Sequence, residues 1–213
     1  MVEAILWDND GVLVDTERLY FKATQQALKL AGVDLSLDLY KDVSLRQGAG
    51  LFYLASERGY TDAQVAELRA KRDDIYTELL QAEPLLFPAV YETLSELHKK
   101  YRMAIVTSSR RIHFDVMHEA TKIEGFFEFV LAREDYLNSK PEPEPYLTAM
   151  QKPGLPAEKC VAIEDTERGL VAARDAGLRC IVIPHAFTQE CKFEGAEAVL
   201  KSIAELPALL AKM

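Results

Sequence analysis

Residues 3–17 read EAILWDNDGVLVDTE. Ala4, Ile5, Leu6 and Trp7 form an unbroken apolar run, without the apolar–polar alternation of a strand that has one wet face. Such a run suits a strand buried on both sides, as in a parallel sheet covered by helices. The run ends in Asp8-Asn9-Asp10-Gly11. Taken alone, two acids and a glycine would suit a solvated turn. Two carboxylates one residue apart also repel each other, so the alternative is that something positive holds them there.

Runs of the same kind recur at 103–108 (MAIVTS), 127–132 (FEFVLA), 160–165 (CVAIED) and 179–184 (RCIVIP). Helical patterns fall between them at 88–100, 110–121, 143–152 and 167–176, with Pro88 suited to a first helical turn and Gly177 to a helix C-terminus. Strands that alternate with helices predict right-handed βαβ units. The expected fold is α/β, a Rossmann-like open parallel sheet flanked by helices. From Thr16 to about Leu85 the alternation stops. TERLYFKATQQALKLAG and TDAQVAELRAKRDDIYTELLQA read as helices, the first stopped by Gly32 and the second capped by Thr61 or Asp62. A core of residues 1–15 and 86–213 with a helical insert at 16–85 is therefore expected. The tail reads as a short edge strand and a closing amphipathic helix.

The bulk numbers agree with a folded domain of ordinary type. The chain has 213 residues, 49% hydrophobic and 28% charged, enough for a sizeable core. Its formal net charge of -9 gives no basic footprint for nucleic acid and no attraction to an anionic membrane. Cys160, Cys180 and Cys191 lack Cys-x-x-Cys spacing, so neither a disulfide framework nor a zinc knuckle is expected. With no signal segment and no long apolar run, a protein of the reducing cytoplasm is expected.

In an open parallel sheet, ligands bind beyond the carboxyl ends of the strands. The first run delivers Asp8 and Asp10 there; the second delivers Thr107, Ser108 and Ser109; the fourth delivers Glu164 and Asp165. The loop after the third holds Lys140. Two unit charges about 4 Å apart interact by about 4 kcal/mol at an effective dielectric of about 20, so the acids must take up protons or bind a cation. Hard oxygen ligands suit Mg²⁺, and Thr107 with Lys140 would hold an anion facing it. That combination belongs to phosphoryl transfer. Asp8, at the strand end, is the candidate nucleophile; Asp10, two residues on, the candidate general acid and base. Asp165 is the second metal anchor, with Glu164 beside it.

These residues fall in stretches that resemble the four motifs of the haloacid dehalogenase superfamily. DNDGVLVDTE resembles its DxDGVLxD motif, IVTSS its second, SKPEPEPY its Lys-Pro motif and AIEDTERGLVAARDAG its fourth. The resemblance is to the branch of beta-phosphoglucomutase and phosphoglycolate phosphatase. It implies Mg²⁺ held by Asp8, the Asp10 backbone carbonyl and Asp165, and phosphate held by Thr107, Lys140 and backbone N–H groups near Asn9 and Ser108. It also implies that the helical insert is a mobile cap, whose Arg46 and Gln47 would reach the far end of the substrate. The mutase carries histidine and lysine where Tyr20 and Arg72 stand here, which favours a phosphatase over a sugar phosphomutase. Asp10 speaks against a metal-free dehalogenase. The expected partner is a small phosphorylated metabolite, with the protein a monomer or weak dimer. The four histidines show no metal spacing and are read as structural or exposed.

Overall fold

A computed structural model of the chain describes residues 1–152 and 154–213. Its strands are β1 Ala4–Trp7, β2 Arg102–Val106, β3 Phe129–Leu131, β4 Cys160–Glu164, β5 Arg179–Val182 and β6 Ala198–Val199. They form one sheet in the order β3-β2-β1-β4-β5-β6, with every neighbouring pair parallel. The open parallel sheet expected from the apolar runs is present, and the short edge strand of the tail is β6. The strand order reverses direction at β1, between β2 and β4, which makes the β1–β4 crevice the place where a ligand can enter.

The chain divides into two compact units, Thr16–Pro84 and the remainder, Met1–Asp15 with Leu85–Met213. The first holds α1 Glu17–Leu30, α2 Leu37–Tyr40, α3 Tyr53–Ser56 and α4 Asp62–Ala82, with a π-helical turn at Lys41–Arg46. Leu19, Ala23 and Ala27 recur every fourth residue on α1 and are buried, as are Val65, Leu68, Tyr76 and Leu80 on α4. Tyr20 meets Tyr76 edge-to-face, ring centroids 5.1 Å apart. Thr61 caps α4 in a reciprocal box with Gln64, so two of the orphan N–H groups of that helix have partners.

The second unit holds the sheet with α5 Val90–Leu97, α6 Arg111–Thr121, α7 Glu144–Gln151, α8 Glu167–Asp175 and α9 Leu206–Leu210. Its two sheet faces differ in residue size. Ile5, Trp7, Ile105, Ile163 and Ile181 point to one side and pack with Val90, Leu94 and Leu97 of α5 and Phe114 of α6. Ala4, Leu6, Ala104 and Ala162 point to the other, against Tyr146 and Ala149 of α7 and Ala172 and Ala173 of α8. Period-2 alternation therefore operates, but between large and small apolar residues rather than apolar and polar ones. Cys160 and Cys180 are buried on the small-residue side. Among the described residues, no helix is long and apolar enough to cross a membrane.

Pro88 departs from its expected place in the first turn of α5. It lies before the helix, and Ala89 between them takes a left-handed conformation, φ 65°. An L-residue with a Cβ costs roughly 1–2 kcal/mol there, a cost glycine does not carry. Ala89→Gly should therefore stabilise the protein by about 1 kcal/mol, less the extra chain entropy of glycine in the unfolded state. A urea midpoint lower than that of the parent would show the strain is absent, because only the entropy cost of glycine would then remain.

Candidate active site

The last ladder bonds of the sheet place the chemical groups. Asp8 N–H donates to Ile163 O at 2.9 Å and Thr107 N–H donates to Leu131 O at 2.9 Å, one residue past the ends of β1 and β2. The backbone that carries both side chains is thus still held by the sheet. After Asp8 the chain turns, with Leu13 N–H and Val14 N–H both donating to Asn9 O. Gly11 sits in this turn at φ 87°, and a Cβ on it would overlap the Asp165 carboxylate. Only glycine meets both conditions.

Lys140 is buried, and its ammonium reaches three strand ends. Nζ lies 2.6 Å from Asp8 Oδ1, 2.7 Å from Glu164 Oε1 and 2.9 Å from Val106 O. It also lies 5.0 Å from the centre of the Tyr146 ring. Burial alone would pull the lysine down, but the Asp8 and Glu164 carboxylates outweigh it and hold the ammonium above its ordinary value. Burial pushes Asp8 well above the carboxylate range, against the pull of Lys140, and nearby Glu164, Asp165 and Asp10 add to the rise. Asp165 is raised as well, by burial, against its bond to His185.

Glu164 also accepts from Tyr146 Oη at 2.5 Å. Its carboxylate fills the space where a side chain at position 169 would stand, so the Gly169 of the α8 motif is required by Glu164. Thr166 caps α8 by accepting from Gly169 N–H. Asp10 Oδ2 accepts from Thr107 Oγ1 at 3.0 Å, Ser109 Oγ at 2.8 Å and Asn9 Nδ2 at 3.3 Å. Thr107 Oγ1 in turn accepts from Ser109 N–H, and Tyr136 Oη donates to Thr107 O at 2.7 Å. Ser108 Oγ meets Ser139 Oγ at 3.3 Å.

Asp8, Asp10, Thr107, Ser108, Lys140, Glu164 and Asp165 thus share one end of the sheet. Arg46 belongs to the helical unit, where its half-exposed side chain lies 3.8 Å from Asp42. Arg110 and Arg111 are solvated and pair with Glu134 and Asp135. Among the described residues, carboxylate oxygens of Asp8, Glu164 and Asp165 lie within 4.8 Å of one another. This is an all-oxygen donor set of a kind that suits a hard dication. Glu164 has both oxygens engaged, Oε1 by Lys140 and Tyr146 and Oε2 by the Asp165 N–H at 3.4 Å, which makes Asp8 and Asp165 the stronger candidates.

Two of the histidines read as structural or exposed reach residues of the site. His185 is not a bystander: its Nε2 lies 3.0 Å from Asp165 Oδ2, and its side chain is 7% exposed. The strand-end rule could have found it, because it follows the RCIVIP run by one residue. His118 is buried on α6, with Nε2 2.9 Å from Asn9 Oδ1 and Nδ1 3.0 Å from Thr121 Oγ1. No sequence pattern links positions 9 and 118. Ser109 and Tyr146 stand inside quoted motifs, but their contacts with Asp10 and Glu164 are visible only in the fold.

An α/β fold with paired acids, a hydroxyl cluster and a buried lysine at the β1–β4 crevice describes a hydrolase of the haloacid dehalogenase kind. The chain belongs to that family: residues 5–183 match the haloacid dehalogenase-like hydrolases. It is 32% identical to Protein CbbY of Rhodobacter capsulatus, over 97% of this chain and 99% of that one. It is 28% identical to a phosphorylated carbohydrates phosphatase of Thermotoga maritima, over 84% of each. The crystal structure of a mutant CbbY from Rhodobacter sphaeroides in complex with xylulose-(1,5)bisphosphate superimposes with a TM-score of 0.83 at 28% identity, over 97% of this chain and 96% of that one.

Burial holds the His118 imidazole at about 4, against an ordinary 6.5, with the Asp10 carboxylate opposing the shift. A base depressed in the folded state contributes stability that is present above the unfolded value and is lost as pH falls from 6.5 through about 4. The non-titrating variant His118→Gln should therefore lose about 2–3 kcal/mol less than the parent between pH 7 and pH 4.5. Paired urea unfolding curves measure the difference; parallel losses would show that His118 is protonated in the folded protein.

Proposed function

We propose that the chain is a Mg²⁺-dependent phosphatase that hydrolyses a small phosphorylated carbohydrate through an aspartyl phosphate on Asp8. The observation that carries this reading is the buried Lys140 ammonium 2.6 Å from Asp8 Oδ1, with Asp165 and Thr107 delivered to the same sheet end by other strands. A carboxylate kept beside a cation at the mouth of a crevice supports a nucleophile that meets a phosphoryl group there. The relatives' names support the substrate class: one is a phosphorylated carbohydrates phosphatase, and another was crystallised with a sugar bisphosphate.

In the proposed reaction Asp8 attacks phosphorus, and the bond from phosphorus to the leaving oxygen breaks. Asp10 gives that oxygen its proton. Asp10, now a carboxylate, then takes a proton from water as the water oxygen bonds to phosphorus. The bond to Asp8 breaks, and inorganic phosphate leaves. Thr107 and Ser108 hold the phosphoryl oxygens, and Lys140 offsets the charge that Asp8 and the phosphoryl group bring together. Asp8, Asp165 and the Asp10 backbone carbonyl, with Glu164 beside them, would hold Mg²⁺, which when bound neutralises phosphoryl charge and orients the group for in-line attack.

The Thr16–Pro84 unit acts in this reading as a cap that excludes water and selects the substrate, with Arg46 at the far end of that substrate. The phosphatase is favoured over the mutase by Tyr20 and Arg72. Arg72 donates to the Tyr20 hydroxyl, lies 4.6 Å from the centre of its ring and pairs with Asp73 at 2.7 Å. That arrangement differs from the histidine and lysine of the mutase. The buried thiols of Cys160 and Cys180 suit a reducing cytoplasm.

Phosphate release from a panel of sugar phosphates and p-nitrophenyl phosphate, with and without Mg²⁺, tests the reading. Turnover should vanish on chelation, and Asp8→Asn should lose about 10³-fold or more. Full activity in Asp8→Asn, or no turnover of any phosphate ester, would overturn it. Conversion of beta-glucose 1-phosphate to glucose 6-phosphate without phosphate release would establish the mutase instead.

A further inference from the structure

Asn9 is fully buried between the two acids of the DNDG turn. An apolar side chain could fill that place at no polar cost, whereas a buried amide must find partners on both its edges. It finds them. Oδ1 lies 2.9 Å from His118 Nε2, and Nδ2 lies 3.3 Å from Asp10 Oδ2 and 3.4 Å from Met117 Sδ. His118 is fixed in turn. Its ring packs against Phe114 at a tilt of 39°, centroids 4.2 Å apart, and Nδ1 lies 3.0 Å from Thr121 Oγ1.

The direction of each bond follows from what each atom can do. The Asn9 amide oxygen can only accept, so His118 Nε2 carries the hydrogen. Burial keeps the ring neutral, so Nδ1 accepts from the Thr121 hydroxyl. With its oxygen committed to His118, Asn9 turns its NH₂ edge toward Asp10. The donors run Thr121 to His118 to Asn9 to Asp10, and all point toward the Asp10 carboxylate.

We infer that Asn9, oriented by His118, is a positioning residue that holds the Asp10 carboxylate in its proton-transfer geometry. The inference rests on the proposed role of Asp10. Two hydroxyls, of Thr107 and Ser109, also donate to the same Oδ2. Hydroxyls rotate, and in the proposed reaction Thr107 turns to the phosphoryl oxygens. The Asn9 amide is planar and pinned on its opposite edge, so it keeps its hold when substrate draws the Thr107 hydroxyl away. Oδ2 thus stays anchored while the Asp10 carboxyl transfers its proton.

The test uses leaving groups. An alkyl sugar phosphate expels a poor leaving group that needs the Asp10 proton, and p-nitrophenyl phosphate expels a good one that hardly does. Asn9→Leu keeps the backbone N–H and the side-chain volume but removes the amide. It should lower kcat/KM for the sugar phosphate by about 10-fold, the rate equivalent of one modest hydrogen bond to a charged group. For the aryl phosphate it should change kcat/KM by less than about 2-fold on the same scale. Adding His118→Leu to it should cost little more, because the two act as one unit.

If Asn9→Leu does not fold, the ratio of the two substrates is read in His118→Gln, which keeps a donor for Asn9 and should retain the parent ratio, and in His118→Leu, which should lose it. Equal losses on both substrates, no loss on either, or identical ratios in the two His118 variants would overturn the inference. Asp10→Asn, measured beside them, separates the two readings. If it too fails to discriminate between leaving groups, the proposed role of Asp10 falls. If it discriminates and the Asn9 and His118 variants do not, only the positioning role falls.

Discussion

The three hydrogens of one ammonium group tie the ends of three strands. Lys140 donates to Asp8 beyond β1, to Val106 O at the end of β2 and to Glu164 at the end of β4. An ammonium offers three donors, and each here has an acceptor. A buried charge with all its partners is tolerable; with one partner removed it costs about 3–5 kcal/mol. The lysine therefore constrains the sheet as much as the sheet positions the lysine. The relative advance of β1, β2 and β4 must bring a carboxylate, a carbonyl and a second carboxylate within reach of one nitrogen.

Other features answer to the same concentration of charge. The carboxylates at the crevice claim space as well as counter-ions. Asp165 excludes a side chain at Gly11, and Glu164 excludes one at Gly169. Two glycines that could pass for loop and helix punctuation are thus shaped by the acids facing them. The small-residue face of the sheet belongs to this picture too. Ala4, Ala104 and Ala162 face α7 and α8, whose own alanines allow close approach, and Tyr146 on α7 reaches Glu164.

Much of the fold could be read in the sequence because its signals are local. An unbroken run such as AILW announces a strand covered on both sides, and Gly177 and Thr61 mark helix ends by their own conformational chemistry. The strand-end rule then named Asp8, Asp10, Thr107, Lys140, Glu164 and Asp165, which the fold brings together. What escaped was pairing between buried polar groups far apart in the chain. Asn9 and His118 are separated by 109 positions, and no periodicity relates them. Lone histidines carry no pattern, so His185 and His118 were indistinguishable from His98 until the backbone was folded. Pro88 was misplaced for a local reason, because the left-handed Ala89 after it delays the helix.

The departure and return of the chain around residues 16–84 are fastened to each other within the sheet-bearing unit. Asp15 N–H donates to Leu85 O at 2.7 Å, Phe87 N–H donates to Leu13 O at 3.2 Å, and Val14 bridges Leu86 in antiparallel fashion. This short ribbon closes the excursion at its neck. Once a neck is closed, enlarging the loop beyond it is thermodynamically cheap: each doubling of length adds only about 0.6 kcal/mol of closure entropy. Evolution can therefore lengthen, shorten or exchange the excursion while the reactive edge of the sheet keeps its form. The ribbon makes the chain modular, with the sheet-bearing unit on one side of the neck and the helical excursion on the other.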